Sequence, residues 1–149
     1  MLYALLLAQA AATAAPACKI DAALPPALSH WKDAQGGTAI MLGTPVVLTT
    51  SSAGTPAPAK PGKVVNVMFD VATAGIYTVA LGAGGWIDVV SAAGGPPLAS
   101  TAHGHLKCSS VGKMVVFPLK PGRYRLQLTG IQANDVKVAL LAGNQIPKP

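Results

Sequence analysis

The chain contains no glutamate, and its five acidic residues are all aspartate. Glycoside hydrolysis needs two acids facing one bond, and isolated aspartates leave little choice of pair. Charged residues make up only 11% of the chain and aromatics 5%. The formal net charge of +6 comes from 11 Lys/Arg set against those 5 acids. The basic residues are scattered and form no run, so nucleic acid is not an expected partner, whereas anionic envelope polymers fit a mildly basic exported protein. There are two cysteines and no C-x-x-C pair, which argues against a redox or metal-binding thiol motif. No Gly-x-Ser-x-Gly elbow occurs, and Ser109-Ser110 has no Asp/His order to make a triad. Gly82-Ala83-Gly84-Gly85 precedes a strand pattern rather than a helix, so it reads as a hairpin loop and not as a phosphate cradle.

The chain is rich in punctuation instead, with 16 glycines and 13 prolines in 149 residues. That length suits one domain, and many short strands joined by Gly/Pro turns suit this composition better than helices do. The organising stretch runs from Phe117 to Gly130. Lys120-Pro121-Gly122-Arg123 has the residues of a type II turn, with proline presetting φ and glycine accepting a positive φ. Side chains then alternate. Tyr124, Leu126 and Leu128 point one way, while Arg123, Arg125, Gln127 and Thr129 point the other, the pattern of a half-buried strand. The same phrase occurs from Phe69 to Gly82: Phe, a loop ending in Gly75, then x-Tyr-x-aliphatic-x-Leu and a closing Gly. Tyr77 and Tyr124 therefore occupy matching inward positions.

The ends read differently. Leu2–Ala8 is apolar and Ala10–Ala17 is almost all small residues, which resembles the core and cleavage region of a secretory signal peptide covering residues 1–14. A cut after Ala14 puts Ala12 at the −3 position, and cuts after Ala10 or Ala17 also fit. The apolar run is too short for a transmembrane anchor. Export makes the periplasm or the exterior the expected location, where a Cys18–Cys108 disulfide would close a long loop and contribute roughly 4–5 kcal/mol in the chain-entropy model. Ala15-Pro16-Ala17-Cys18 also has a faint likeness to a lipoprotein acceptor site, so Cys18 has two readings.

Residues 15–37 form a lead-in with one helical turn at Ala27–Trp31, where Leu28 and Trp31 share a face and would plug one end of the domain. Strands are expected over Thr38–Leu42 and Pro45–Thr50, or as one strand broken at Gly43-Thr44-Pro45, and over Val64–Val71, Gly75–Gly82, Trp86–Val90, Leu98–His105, Lys113–Leu119, Gly122–Gly130 and Asp135–Leu141. Trp86–Val90 is ambiguous between Ile87/Val89 and Trp86/Asp88/Val90 inward, and Val136, Val138 and Leu140 share one face. Ser51–Gly62 reads as an exposed, mobile loop, and 143–149 as a disordered tail. The expected architecture is an all-β antiparallel sandwich or jelly roll of about eight strands over 38–142.

The phrase Phe-x-Leu-x-Pro-Gly-x-Tyr-x-Leu-x-Leu-x-Gly, here Phe117 to Gly130, resembles the closing strands of the bacterial pre-peptidase C-terminal domain, over roughly Val64 to Leu141. The resemblance implies a jelly roll that assists binding or secretion and does not catalyse. Gly75-Ile76-Tyr77, Trp86-Ile87-Asp88-Val89-Val90, Ala102-His103-Gly104-His105 and Lys113-Met114-Val115-Val116-Phe117 also resemble a group of small exported bacterial proteins, some of which carry the name homogentisate 1,2-dioxygenase. That name implies iron held by two His and a Glu, and this chain has no Glu.

Two candidate sites follow. His103 and His105 are two apart, so on a strand both imidazoles would face one side and could share an iron ion, with Asp88, or failing that Asp70, as the carboxylate. Without that chemistry no cofactor is expected. The other candidate is a binding surface. Trp86 opens a strand behind small residues and could stack on a sugar ring, while Arg123 and Arg125 share the wet face of their strand and could meet an anionic partner. The expected partners are envelope glycan or another envelope protein.

Overall fold

The computed structural model describes residues 17–52 and 61–148. The signal-peptide reading at 1–14 and most of the expected 51–62 loop lie outside them. Nine strands form in order: β1 Gln35–Gly36, β2 Val46–Thr49, β3 Lys63–Val71, β4 Gly75–Leu81, β5 Trp86–Ser91, β6 Ala102–Gly104, β7 Lys113–Leu119, β8 Gly122–Ile131 and β9 Asp135–Ala142. They make an all-β sandwich of two sheets, one ordered β1-β2-β9-β4-β7-β6 and the other β3-β8-β5. All pairings are antiparallel except β1 with β2, which is parallel.

Alternation builds the core. Tyr124, Leu126 and Leu128 of β8 are buried with Val65 and Phe69 of β3 and Ile87 and Val89 of β5. They meet Val79 and Leu81 of β4, Val115 and Phe117 of β7, and Val136, Val138 and Leu140 of β9 across the interior. Ile87 and Val89 are thus the inward pair of β5. The three-stranded sheet leaves its outer face wet, and that is where Asn66, Asp70, Arg123, Arg125 and Gln127 stand, opposite the inward set.

The repeat has a structural meaning. Each copy is an arch that leaves one sheet and enters the other, β3 to β4 and β7 to β8. Phe69 of the first pairs with Tyr124 of the second, and Tyr77 of the first pairs with Phe117 of the second. The two copies therefore embrace reciprocally, as a pseudo-two-fold pair within one chain. The rings of Phe69 and Tyr124 stack at 5.7 Å. Each buried phenol spends its hydroxyl on the loop just before it. Tyr77 Oη donates to the Thr73 carbonyl at 2.5 Å. Tyr124 Oη donates to the Lys120 carbonyl at 2.7 Å and accepts from the Lys120 amide at 3.2 Å. A buried tyrosine needs such a partner, and four residues back is where the arch delivers one.

The six-stranded sheet is buried on both faces. Its outer face carries a second cluster in which Leu28 and Trp31 pack on Ala80, Met114, Ala139 and Leu141. This explains the near-continuous apolar runs of β7 and β9, which a one-sided sheet would not need. The lead-in segment forms two short 3-10 turns, Pro26–Leu28 and Trp31–Asp33, and so covers a sheet face rather than plugging an end. Trp31 is fully buried; its Nε1 donates to Ser110 Oγ at 2.9 Å and Lys137 Nζ lies 5.2 Å from its ring centre. The Cys18–Cys108 disulfide pins the segment, with the two Cα atoms 5.6 Å apart across a sequence separation of 90.

Three expectations change in detail. Thr38–Leu42 forms no strand: Met41 and Leu42 make isolated bridges, and Gln35–Gly36 pairs with β2 in its place. Only Ala102–Gly104 of the expected Leu98–His105 strand is extended into the sheet. The closing segment, expected to be disordered, is held at two points. Thr78 Oγ1 donates to the Gly143 carbonyl at 2.6 Å and accepts from the Gln145 amide at 3.0 Å. Ile146 packs against the outer cluster and covers Gly104, where an added Cβ would meet its Cγ2 at 2.9 Å.

Candidate functional site

Trp86 stands where the two sheets part. The loop Gly82–Gly85 carries the chain from β4 in one sheet to β5 in the other. Gly85 has φ +154, and a Cβ there would lie 2.6 Å from Ile131 Cδ1 and 3.0 Å from the Thr129 carbonyl oxygen. Only glycine lets the backbone press that closely onto the end of β8. The next residue, Trp86, pairs with Thr129 and keeps 48% of its surface exposed. Gly85 also turns its carbonyl toward β7, where Lys113 Nζ donates to it at 2.8 Å. Anchored there, the Lys113 ammonium sits 4.9 Å from the centre of the Trp86 ring. A cation over an indole is favourable by about 0.5–1 kcal/mol at exposed sites, so each side chain restrains the other.

Two hollows flank the indole. One, of about 260 Å³, is lined by Pro61, Gly85, Trp86 and Gly130. The other, of about 280 Å³, is lined by Trp86, Ile87, Ser100, His103, Lys113 and Val115. His103 reaches this second hollow because it pairs with Val115 and so shares the inner face of the large sheet. It is nevertheless exposed, because β6 is the outermost strand of the wider sheet and runs beyond the cover of the narrower one.

The remaining sequence candidates lie elsewhere. Asp88 pairs with Gln127 on the outer face of the three-stranded sheet. His105 is exposed and follows the end of β6, so the two-residue spacing no longer places it beside His103. Asp70 stands at the far end of β3, with its Oδ1 4.0 Å from Arg123 Nε in an exposed pair. Among the described residues no group of three or more His, Cys, Asp or Glu side chains could hold a metal ion. The described donors therefore do not make the set of two histidines and a carboxylate that a shared iron ion needs.

Arg123 and Arg125 share the wet face with Trp86, as the alternation of β8 predicts. Each is already engaged, Arg123 with Asp70 and Arg125 with the Gln127 amide oxygen, which accepts from its Nε at 3.1 Å and its Nη2 at 3.3 Å. Lys113 and Ser100 escape a sequence reading. Lys113 looks like an ordinary strand start, and nothing local announces that it crosses to an indole in the other sheet.

A second polar cluster lies at the disulfide. Asp21 Oδ1 accepts from the Ser110 amide at 2.7 Å and Oδ2 from its hydroxyl at 2.6 Å, while the Asp21 amide donates to the Cys108 carbonyl at 2.9 Å. Burial pushes the Asp21 carboxyl up, but the Ser110 hydrogen bonds, with Lys32 and Lys137 nearby, outweigh it and leave the group below its ordinary value. These hydrogen bonds tie the lead-in segment to the Cys108–Ser110 turn, which is a structural task.

No helix among the described residues is long and apolar enough to cross a membrane. No family model, curated protein or solved structure matches this chain.

Proposed function

We propose that this chain is an exported, non-catalytic binding module that takes hold of envelope glycan at Trp86. The observation that carries the reading is the indole itself: 48% exposed, braced by the Lys113 ammonium at 4.9 Å, and set between hollows of about 260 and 280 Å³. A flat indole beside concave, partly polar ground suits the faces of sugar rings. The disulfide favours the periplasm or the exterior over the cytosol. The resemblance of Phe117–Gly130 to the pre-peptidase C-terminal domain favours an accessory role in the same place.

The test is a glycan-binding panel on the mature protein beside Trp86→Ala. The expected result is binding to at least one envelope or extracellular polysaccharide, lost by tenfold or more in the variant, with the melting temperature unchanged. Binding that survives Trp86→Ala in full would remove the basis of the reading.

A further inference from the structure

We infer that the hollow between Trp86 and His103 selects sugars that carry a single carboxylate, such as uronic acids, over their neutral counterparts. This rests on the glycan reading above and names the class of ring it takes. The walls divide by chemistry. Trp86, Ile87 and Val115 supply an apolar side, and Lys113, His103 and Ser100 supply a polar one. Among the described residues no carboxylate lines the hollow. The Lys113 ammonium has three donors and gives one to the Gly85 carbonyl, which fixes its position and leaves others for a ligand. An imidazole offers at least one N–H in either charge state, and a serine hydroxyl both donates and accepts, so His103 and Ser100 suit ring hydroxyls.

The same walls argue against two alternatives. An arginine fork, the usual partner for a bidentate phosphate, does not line this hollow; both arginines of the chain stand on the open face and are paired there. A neutral sugar would leave the ammonium no anion to meet. At about 280 Å³ the hollow lies at the small end of ligand sites, which fits one ring and its substituents rather than an extended chain. The net charge of +6 draws acidic polymers toward the surface from a distance.

The probes are trigalacturonic acid and its fully methyl-esterified form, which share a backbone and differ in charge. They are titrated by calorimetry into the full mature chain with its disulfide intact. Acrylamide quenching of Trp86, against the fully buried Trp31, supplies the second readout. The acid is expected to bind about tenfold or more tighter than the ester, to protect Trp86 from quenching, and to weaken as salt rises. Lys113→Met should bring the acid down to the ester's affinity, and Lys113→Arg should retain most of the preference. Equal binding of acid and ester, both lost on Trp86→Ala, overturns the inference while the glycan reading stands. Failure of both probes to bind also overturns it, and the glycan reading then depends on the wider panel. A preference for acid that survives Lys113→Met overturns the role assigned to this hollow. Circular dichroism and melting of each variant separate these results from misfolding.

Discussion

Changing Tyr124 to phenylalanine removes one oxygen and nothing else of consequence. The ring keeps its burial and its stacking on Phe69 at 5.7 Å. What is lost is a pair of hydrogen bonds to one residue, 2.7 Å to the Lys120 carbonyl and 3.2 Å from the Lys120 amide. A neutral hydrogen bond is worth about 0.5–1.5 kcal/mol net, and water can reach exposed Lys120 to replace part of it, so the expected cost is about 1–2 kcal/mol. For a chain of this size that lowers the melting temperature by about 3–6 °C. Tyr77→Phe loses a single bond, at 2.5 Å to the Thr73 carbonyl, and should cost no more than Tyr124→Phe. Urea titration gives the free energies, and hydrogen exchange locates the change. Faster exchange should be confined to the arches at 72–75 and 119–122, leaving the β3–β8 ladder protected. If Tyr124→Phe is as stable as the parent, the hydroxyl does not anchor the arch and the repeat is only a packing motif.

Other perturbations test the lead-in segment and its fastenings. Trp31→Ala empties a fully buried site and removes the bond to Ser110, so it should cost about 3–5 kcal/mol in urea titration and open residues 17–33 to proteolysis. Replacing both Cys18 and Cys108 by serine frees a loop spanning a sequence separation of 90, and the chain-entropy model sets the loss at about 4.6 kcal/mol, read from the urea midpoint against the oxidised parent. Asp21 has a folded-state pKa below its ordinary 3.8, so the ionised carboxylate contributes stability that is whole above that value and is lost as pH falls through the lower folded one. Asp21→Asn should therefore destabilise the protein at pH 7, and the gap between variant and parent should shrink once the pH drops below about 3.8, as urea midpoints at the two pH values will show.

Much of the fold is legible in the sequence because one physical signal dominates it. The alternation of Tyr124, Leu126 and Leu128 with Arg123, Arg125 and Gln127 places β8 and its faces directly, and the matching phrase at Phe69–Gly82 marks the second arch. The signal weakens where both faces are buried. In Val138-Ala139-Leu140-Leu141 the inward set Val138 and Leu140 is readable, but Ala139 and Leu141 pack under Leu28 and Trp31, and period two does not say what lies above an outer face. It also fails for short edge pieces. Gln35–Gly36 joins the sheet through backbone bonds to β2 and carries no side-chain pattern, whereas Thr38–Leu42 has the composition of a strand and reaches its neighbours only through isolated bridges at Met41 and Leu42.

The site is less legible than the fold for a related reason. Alternation assigns a side chain to a face, but a site at the parting of two sheets depends on which residues of one sheet lie across from the other. Trp86 and its exposure can be suspected from a strand start behind glycines. Its pairing with Lys113 depends on Gly85, whose φ of +154 and freedom from a Cβ, which would lie 2.6 Å from Ile131 Cδ1, bring one carbonyl within reach of an ammonium in the opposite sheet. His103 shows the converse. Its spacing from His105 is a valid argument for a shared ligand only while the strand continues, and β6 ends between them at Gly104, which Ile146 covers on the other side. The histidine is then left with a different neighbourhood, an indole and an ammonium in place of a second imidazole and a carboxylate. A two-residue spacing thus points to chemistry only when the backbone between the two residues is held by neighbours on both sides, and an outermost strand of three residues does not meet that condition.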